Sequence, residues 1–158
     1  MTLEKTITPV MECRRLSSEI VGPLSEFLTE LACADEEQYF HPHSFTSEEL
    51  NKIISHCEQD IYVALVRGSQ ILGYGMLRGW DEGFSVPSLG IAISSKMQGQ
   101  GLGRALMEFL HAAARMKGAN QVRLACYKQN LRAMSLYQSL GYAFVDNGGE
   151  QLVGFKEL

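Results

Sequence analysis

The stretch SSKMQGQGLGRALMEFLHAAA, residues 94–114, places glycine at 99, 101 and 103 and then runs into alanine, leucine and methionine. Those last residues are strong helix formers and glycine is a poor one, so the glycines belong at the mouth of a helix. Leu102, Ala105, Leu106, Phe109, Leu110 and Ala113 recur at helical spacing, which predicts an apolar stripe packed on a sheet, with Arg104, Glu108 and Arg115 facing elsewhere. The first amide N–H groups of such a helix lack intrahelical partners and sit at the positive end of its dipole. Glycine lets another molecule approach them and permits the positive φ of a curling loop. The stretch thus reads as a cradle for an anion rich in oxygens, such as a pyrophosphate; an ordinary glycine-rich turn before a core helix fits the same residues. Two familiar nucleotide loops are excluded, because a G-x-G-x-x-G begun at Gly99 needs glycine where Arg104 stands, and no G-K-[ST] follows.

Switches in hydrophobic period order the rest of the chain. Val10 to Leu16 opens as a strand and Ser18 to Ala34 as a helix, with Gly22-Pro23 near its start. Residues 35–45, DEEQYFHPHSF, read as a loop, and Thr46 with Glu49 has capping-box spacing for a short helix through Ile53 and Ile54. IYVALVRG and ILGYGMLRG form a hairpin around Gly68-Ser69, and SLGIAIS is a third strand. After the glycine-led helix, Gly118 is the stop, VRLACY a strand, Asn130 the cap of a helix reaching Leu140, and YAFVD with QLVGFKEL a closing hairpin. The order β-α-α-β-β-β-α-β-α-β-β predicts an α/β fold: a mixed sheet of six to seven strands with about four helices on its faces, in one domain over residues 1–158.

Several functions are excluded by composition. A net charge of −4 from 14 basic and 18 acidic residues gives no field for nucleic acid. No apolar run reaches the roughly 20 residues of a membrane helix, and MTLEKTITPVMECRR lacks the apolar block of a signal peptide, so a cytoplasmic protein without membrane partners is expected. Cys13, Cys33, Cys57 and Cys126 form no C-x-x-C pair and are expected to be buried free thiols. No metal is expected: His41-Pro42-His43 has no third ligand nearby, and His56 and His111 fall on predicted helices.

Gln98-Gly99-Gln100-Gly101-Leu102-Gly103, preceded by the strand Leu89 to Ile93 and followed by an amphipathic helix, resembles the acetyl-CoA loop of GCN5-related N-acetyltransferases, the GNAT superfamily. Asn130-Leu-Arg-Ala-Met-Ser-Leu-Tyr137-Gln-Ser-Leu-Gly141-Tyr142-Ala-Phe144 is similar to that family's N-x(6)-Y-x-x-x-G-[FY]-x-x segment, after a strand and at the expected distance. The two blocks cover about residues 88 to 146.

The resemblance implies an acetyl-CoA-dependent acyltransferase that uses no metal. Ile91, Ala92 and Ile93 would offer main-chain groups to the pantetheine arm; Gln98, Gly99, Gln100, Gly101, Leu102, Gly103 and Arg104 would hold the pyrophosphate. Asn130 matches a position near the cofactor's amides, while a plain helix cap is an equal and compatible role. Tyr137 matches the general acid, and a phenol near ~10 is a workable donor to a thiolate near ~8.5; a core-packing ring is the alternative.

Family positions that often carry a glutamate base hold Pro87-Ser88 and Ala125 here, so no carboxylate base is assigned. The loop between the first two helices walls the acceptor site in this family, which makes Tyr39, His41 and His43 candidate substrate contacts; a solvated surface loop is the other reading. Asp81 and Glu82 read as a solvated hairpin tip. The acceptor is expected to be a primary amine of a small polar metabolite, an amino sugar, polyamine or amino acid, with a protein N-terminus as an alternative acceptor. A non-catalytic acyl-CoA-binding regulatory domain is the rival class, and a homodimer is left open.

Overall fold

The computed structural model describes residues 7–34 and 39–158. Strands and helices follow in the predicted order: β1 (Met11–Arg15), α1 (Val21–Cys33), α2 (Ser47–His56), β2 (Ile61–Arg67), β3 (Gln70–Arg78), β4 (Ser88–Ile93), α3 (Leu102–Met116), β5 (Gln121–Tyr127), α4 (Leu131–Ser139), β6 (Ala143–Asp146) and β7 (Gln151–Glu157). Residues 35–38, the start of the expected loop, lie outside the described residues, as do residues 1–6. Pro23 sits in the first turn of α1, where its missing N–H costs no helix bond. Thr46 caps α2 by accepting the Glu49 N–H (3.2 Å), and Asn130 caps α4 by accepting the Ala133 N–H (3.3 Å).

The strands form one seven-stranded sheet in the order β1-β2-β3-β4-β5-β7-β6. Every pairing is antiparallel except β4 with β5. On one face α1 and α2 cover Ala64, Tyr74 and Met76; on the other α3 and α4 cover Val63, Leu77, Leu89 and Leu124. Alternation along each strand divides the two cores, since neighbouring residues point to opposite faces.

Two expectations are corrected and one is extended. The buried face of α3 is Leu106, Met107, Leu110, His111 and Ala114, rotated by one residue from the predicted stripe, and Phe109 is 42% exposed. Two contacts set that phase. Gly103 lies so close to α4 that an added Cβ would come within 3.2 Å of Leu136 Cδ2, and the His111 ring reaches the Tyr142 hydroxyl at 2.7 Å inside the core. Leu106 and Leu110 are buried in either phase, and burying Met107 is worth about the same 1.5–3 kcal/mol as burying Phe109, so those two contacts and not apolar area decide between the phases.

Asp81 is exposed at the hairpin tip but also holds the backbone there. Its carboxylate accepts the N–H groups of Gln59 (2.7 Å), Glu58 and Asp60 (3.2 Å each), while Asp60 Oδ1 accepts those of Gly79 (3.0 Å) and Asp81 (3.2 Å). The two carboxylates tie the entry of β2 to the exit of β3. Burial works against the Asp81 anion, but the donated N–H groups outweigh it and hold the carboxyl below its usual range. The four cysteines are free, as expected, yet Cys33 is exposed and only Cys126 is fully buried.

Candidate active site

β4 and β5 meet at a single pair, Ser88 with Arg123, where the Arg123 N–H donates to the Pro87 carbonyl (3.0 Å). Beyond that pair they diverge and open a wedge in the middle of the sheet. Backbone groups alternate sides along a strand, so the direction of each β4 residue can be read from its neighbours. The Pro87 carbonyl points to β5, and the Ser94 N–H points the other way, to Leu72 beside β3 (2.8 Å). By that parity the N–H and C=O groups of Ile91 and Ile93 point into the wedge, and those of Ala92 are turned to Tyr74 on β3.

At the wide end of the wedge the chain turns into α3. Gly99 (φ +79°) and Gly101 (φ +82°) take left-handed backbone, and a Cβ on Gly101 would meet nothing within 4 Å. Gly101 is the N-cap and has no side chain to cap with; the first intrahelical bond runs from the Ala105 N–H to the Gly101 carbonyl (3.0 Å). The amides of Leu102, Gly103 and Arg104 therefore stay open at the positive end of a helix of 15 residues.

A cavity of about 540 Å³ joins wedge and cradle. Ile91, Ala92, Ile93, Gln98, Gly99 and Gly101 line it, with Leu102, Gly103 and Arg104 from the start of α3, Asn130 and Tyr137 from α4 and its cap, and Tyr39 from the loop before α2. Gln100, His41 and His43 are not part of the lining. His43 instead anchors its loop: Nδ1–H donates to the Ser44 carbonyl (2.7 Å), which leaves Nε2 to accept the Tyr74 hydroxyl (2.8 Å). Burial, opposed by the Ser44 carbonyl, pushes the imidazole below its ordinary value, so the ring stays neutral. His41 is exposed.

Tyr137 is 9% exposed, and its hydroxyl makes no hydrogen bond among the described residues. No buried polar side-chain atom in that set lacks a partner, so this oxygen opens onto the cavity. Burial and then the nearby Cys126 push the phenol well above its ordinary value, which keeps it protonated at neutral pH. Asn130 both caps α4 and lines the cavity.

Sequence reasoning missed Arg132. It projects from the first turn of α4 across the cradle, where its guanidinium donates to Gln98 Oε1. Among the described residues it gives the lining, with Arg104, two cations and no carboxylate, a field that favours an anion. Its place two residues after a helix cap was the available signal. Phe40 and Leu31 also line the wedge, and Tyr39 closes the gap above it with its ring 5.9 Å from that of Tyr127 on β5.

The residues fit a nucleotide thioester. Open amides and two arginines suit a pyrophosphate, the unpaired β4 edge suits an amide-bearing arm laid alongside it, and an unbonded phenol stands inside the same cavity. Among the described residues no group of three or more histidine, cysteine, aspartate or glutamate side chains is gathered to hold a metal, and no helix is long and apolar enough to cross a membrane.

A family model described as the acetyltransferase (GNAT) family matches residues 25–142. No curated protein sequence matches the chain significantly. Among solved structures, the chain is similar to the PaiA N-acetyltransferase of Thermoplasma acidophilum in complex with coenzyme A, with 18% identity, 94% of this chain and 99% of that one covered, and a TM-score of 0.77. It is also similar to a GCN5-related N-acetyltransferase of Kribbella flavida, with 19% identity, 94% and 98% covered, and a TM-score of 0.75. The ribosomal-protein-alanine N-acetyltransferase of Brucella melitensis matches at 17% identity, 93% and 99% covered, and a TM-score of 0.77.

Proposed function

Because this chain belongs to the acetyltransferase (GNAT) family and is an acyltransferase enzyme, we propose that it transfers an acetyl group from acetyl-CoA to a primary amine of a small polar metabolite, by direct attack in a ternary complex. The observation that carries this reading is the Tyr137 hydroxyl, without a hydrogen-bond partner among the described residues, in the same cavity as the open amides of Leu102, Gly103 and Arg104. Acetyl-CoA supplies the activated thioester. The amides, with Arg104 and Arg132, hold its pyrophosphate; Ile91 and Ile93 offer main-chain groups to its arm, and Ala92 keeps β4 fixed to β3. Tyr137 gives its phenolic proton to the leaving thiolate as the C–S bond breaks and the amine's C–N bond forms.

The amine must lose a proton before or during attack. Among the described residues no carboxylate lines the cavity, and an ammonium near ~10.4 is about one part in 10³ neutral at pH 7, so its proton must leave through a side chain, water or bulk solvent. The chain is read as one domain acting in the cytoplasm. A protein N-terminus is the second acceptor, raised by the likeness to the Brucella ribosomal-protein enzyme. Isothermal titration with acetyl-CoA, followed by CoA-thiol release across a panel of amines and an N-terminal peptide, tests the reading. Binding with turnover of at least one amine is expected; binding without any turnover would leave only the regulatory-domain alternative.

A further inference from the structure

One rung of the sheet carries chemistry outside the cofactor cavity. Arg78 on β3 pairs with Ser88 on β4, Ser88 with Arg123 on β5, and Arg123 with Phe155 on β7. Directly paired residues share a face, so the four side chains stand in one row. The neighbours Leu77, Leu89, Val122 and Leu124 belong to the core under α3; the row therefore points the other way, to the face that α1 and α2 cover. Strand spacing of about 4.8 Å puts the two arginine backbones about 10 Å apart, with Ser88 between them.

The row floors a cavity of about 460 Å³, walled by Phe84, which is 63% exposed, and by Phe155. Among the described residues two arginines line it against one carboxylate, Glu82 at the hairpin tip, giving a local positive excess in a chain whose net charge is −4. Arg78 is already fixed: Nη1 donates to the Pro42 carbonyl (2.6 Å), and the guanidinium also reaches the Tyr62 phenol. Arg123 is exposed and its side chain has no hydrogen bond or ion pair among the described residues. A planar, permanently charged fork with open donors beside a second one matches a carboxylate or phosphate oxygen pair.

Position ties this cavity to the transfer reaction. Ser88 marks the apex of the wedge, and Ile91, whose main-chain groups face the cofactor cavity, lies three residues along the same strand, about 10 Å away. Between them Gly90 has no side chain of its own and is covered by Met76 and Phe40, whose atoms a Cβ there would meet at 3.5 and 3.8 Å, so a ligand runs along β4 beside Phe40. A molecule with its anion on the arginine row and its amine beyond Gly90 reaches the place where acetyl transfer would occur.

Resting on the acetyltransferase reading above, we infer that the acceptor is an amine that also carries an anionic group several bonds away, as in an ω-amino acid, and that Arg123, with Arg78 adding positive charge to the row, receives that anion and so sets specificity against polyamines. A polycation placed on this row meets two like charges.

The test is CoA-thiol release with amines matched except for charge: ω-amino acids, lysine among them, against their carboxamides, ω-aminoalkyl phosphates against the corresponding amino alcohols, and spermidine. The expected result is a kcat/KM on the order of 10- to 100-fold higher for the anionic member of a pair, the scale of one charge-assisted contact. The amino-acid and phospho pairs separate carboxylate from phosphate. Arg123→Gln should erase that preference through KM, with the affinity for acetyl-CoA unchanged by isothermal titration, and Arg123→Glu should reverse it toward spermidine. Turnover of neutral and anionic amines with equal kcat/KM, or a preference that survives Arg123→Gln, overturns the inference and leaves the transferase reading standing. If no amine is turned over, that reading fails instead; calorimetric binding of the anionic amines to the CoA complex, lost in Arg123→Gln, would then still support the anion site, and absence of such binding would overturn it.

Discussion

Gly101 and Gly118 sit at opposite ends of α3 with nearly the same backbone, φ +82° and +86°, and a Cβ added to either meets nothing within 4 Å. Gly101→Ala and Gly118→Ala should therefore cost similar conformational free energy, about 1–2 kcal/mol for an L side chain in the left-handed region. In a domain of this size that lowers Tm by about 2–8 °C. The two positions differ in what their backbone serves. Gly118 N–H only closes the helix on the Arg115 carbonyl (2.9 Å), whereas Gly101 aims the open amides of Leu102, Gly103 and Arg104. If the Gly101→Ala loop relaxes toward negative φ, those amides swing off target. Losing one charge-assisted bond to a phosphate oxygen costs about 1.5–3 kcal/mol, or on the order of 10- to 100-fold in Kd. Thermal melts and isothermal titration with CoA on both variants make the comparison. Matched melts with weakened CoA binding in Gly101→Ala alone are expected; equal Kd values in the two variants would refute the cradle.

Two other perturbations follow from buried groups. Tyr137→Phe should lower kcat by about 10²- to 10⁴-fold in a thiol-release assay while CoA affinity is retained, and unchanged turnover would remove Tyr137 from proton transfer. Burial, with Lys156 and Arg115 adding to it, pushes the His111 imidazole down to about 4, below the ~6.5 of an unfolded chain. The unfolded state thus takes up the proton first, so stability is full above about pH 6.5 and falls as pH drops from there toward 4. His111→Gln should flatten that slope in urea melts at pH 7.5 and pH 5; a slope that persists assigns it to other groups.

The order of elements was legible because each switch in hydrophobic period falls at a real boundary, and because Thr46 and Asn130 carry their cap chemistry locally. The glycine-led loop was legible for the same reason: its backbone geometry is written in three glycines. What escaped depends on contacts distant in sequence. The phase of α3 is set by Leu136 and Tyr142, some thirty residues on, and periodicity alone cannot separate two apolar faces that overlap at Leu106 and Leu110. The backbone-tying role of Asp81 escaped because its three donors lie more than 20 residues earlier. The histidines of residues 41–43 looked available because nothing local shows that Tyr74, across the sheet, engages one of them. The Arg78–Ser88–Arg123 row is visible only once strand register is known.

The single pairing of β4 with β5 also determines how the free protein exchanges its amide hydrogens. Along one strand, Gly90 and Ala92 turn their N–H groups to β3, while Ile91 and Ile93 leave theirs in a gap where no strand answers. Neighbouring amides a few ångströms apart thus belong to different protection classes, slow and fast in alternation, within a strand that is otherwise rigid. A ligand laid along the gap would convert the fast pair to slow and leave the slow pair as it was. Deuterium uptake at Ile91 and Ile93 therefore serves as a built-in gauge of occupancy that needs no turnover, and Ala92 between them is its internal standard.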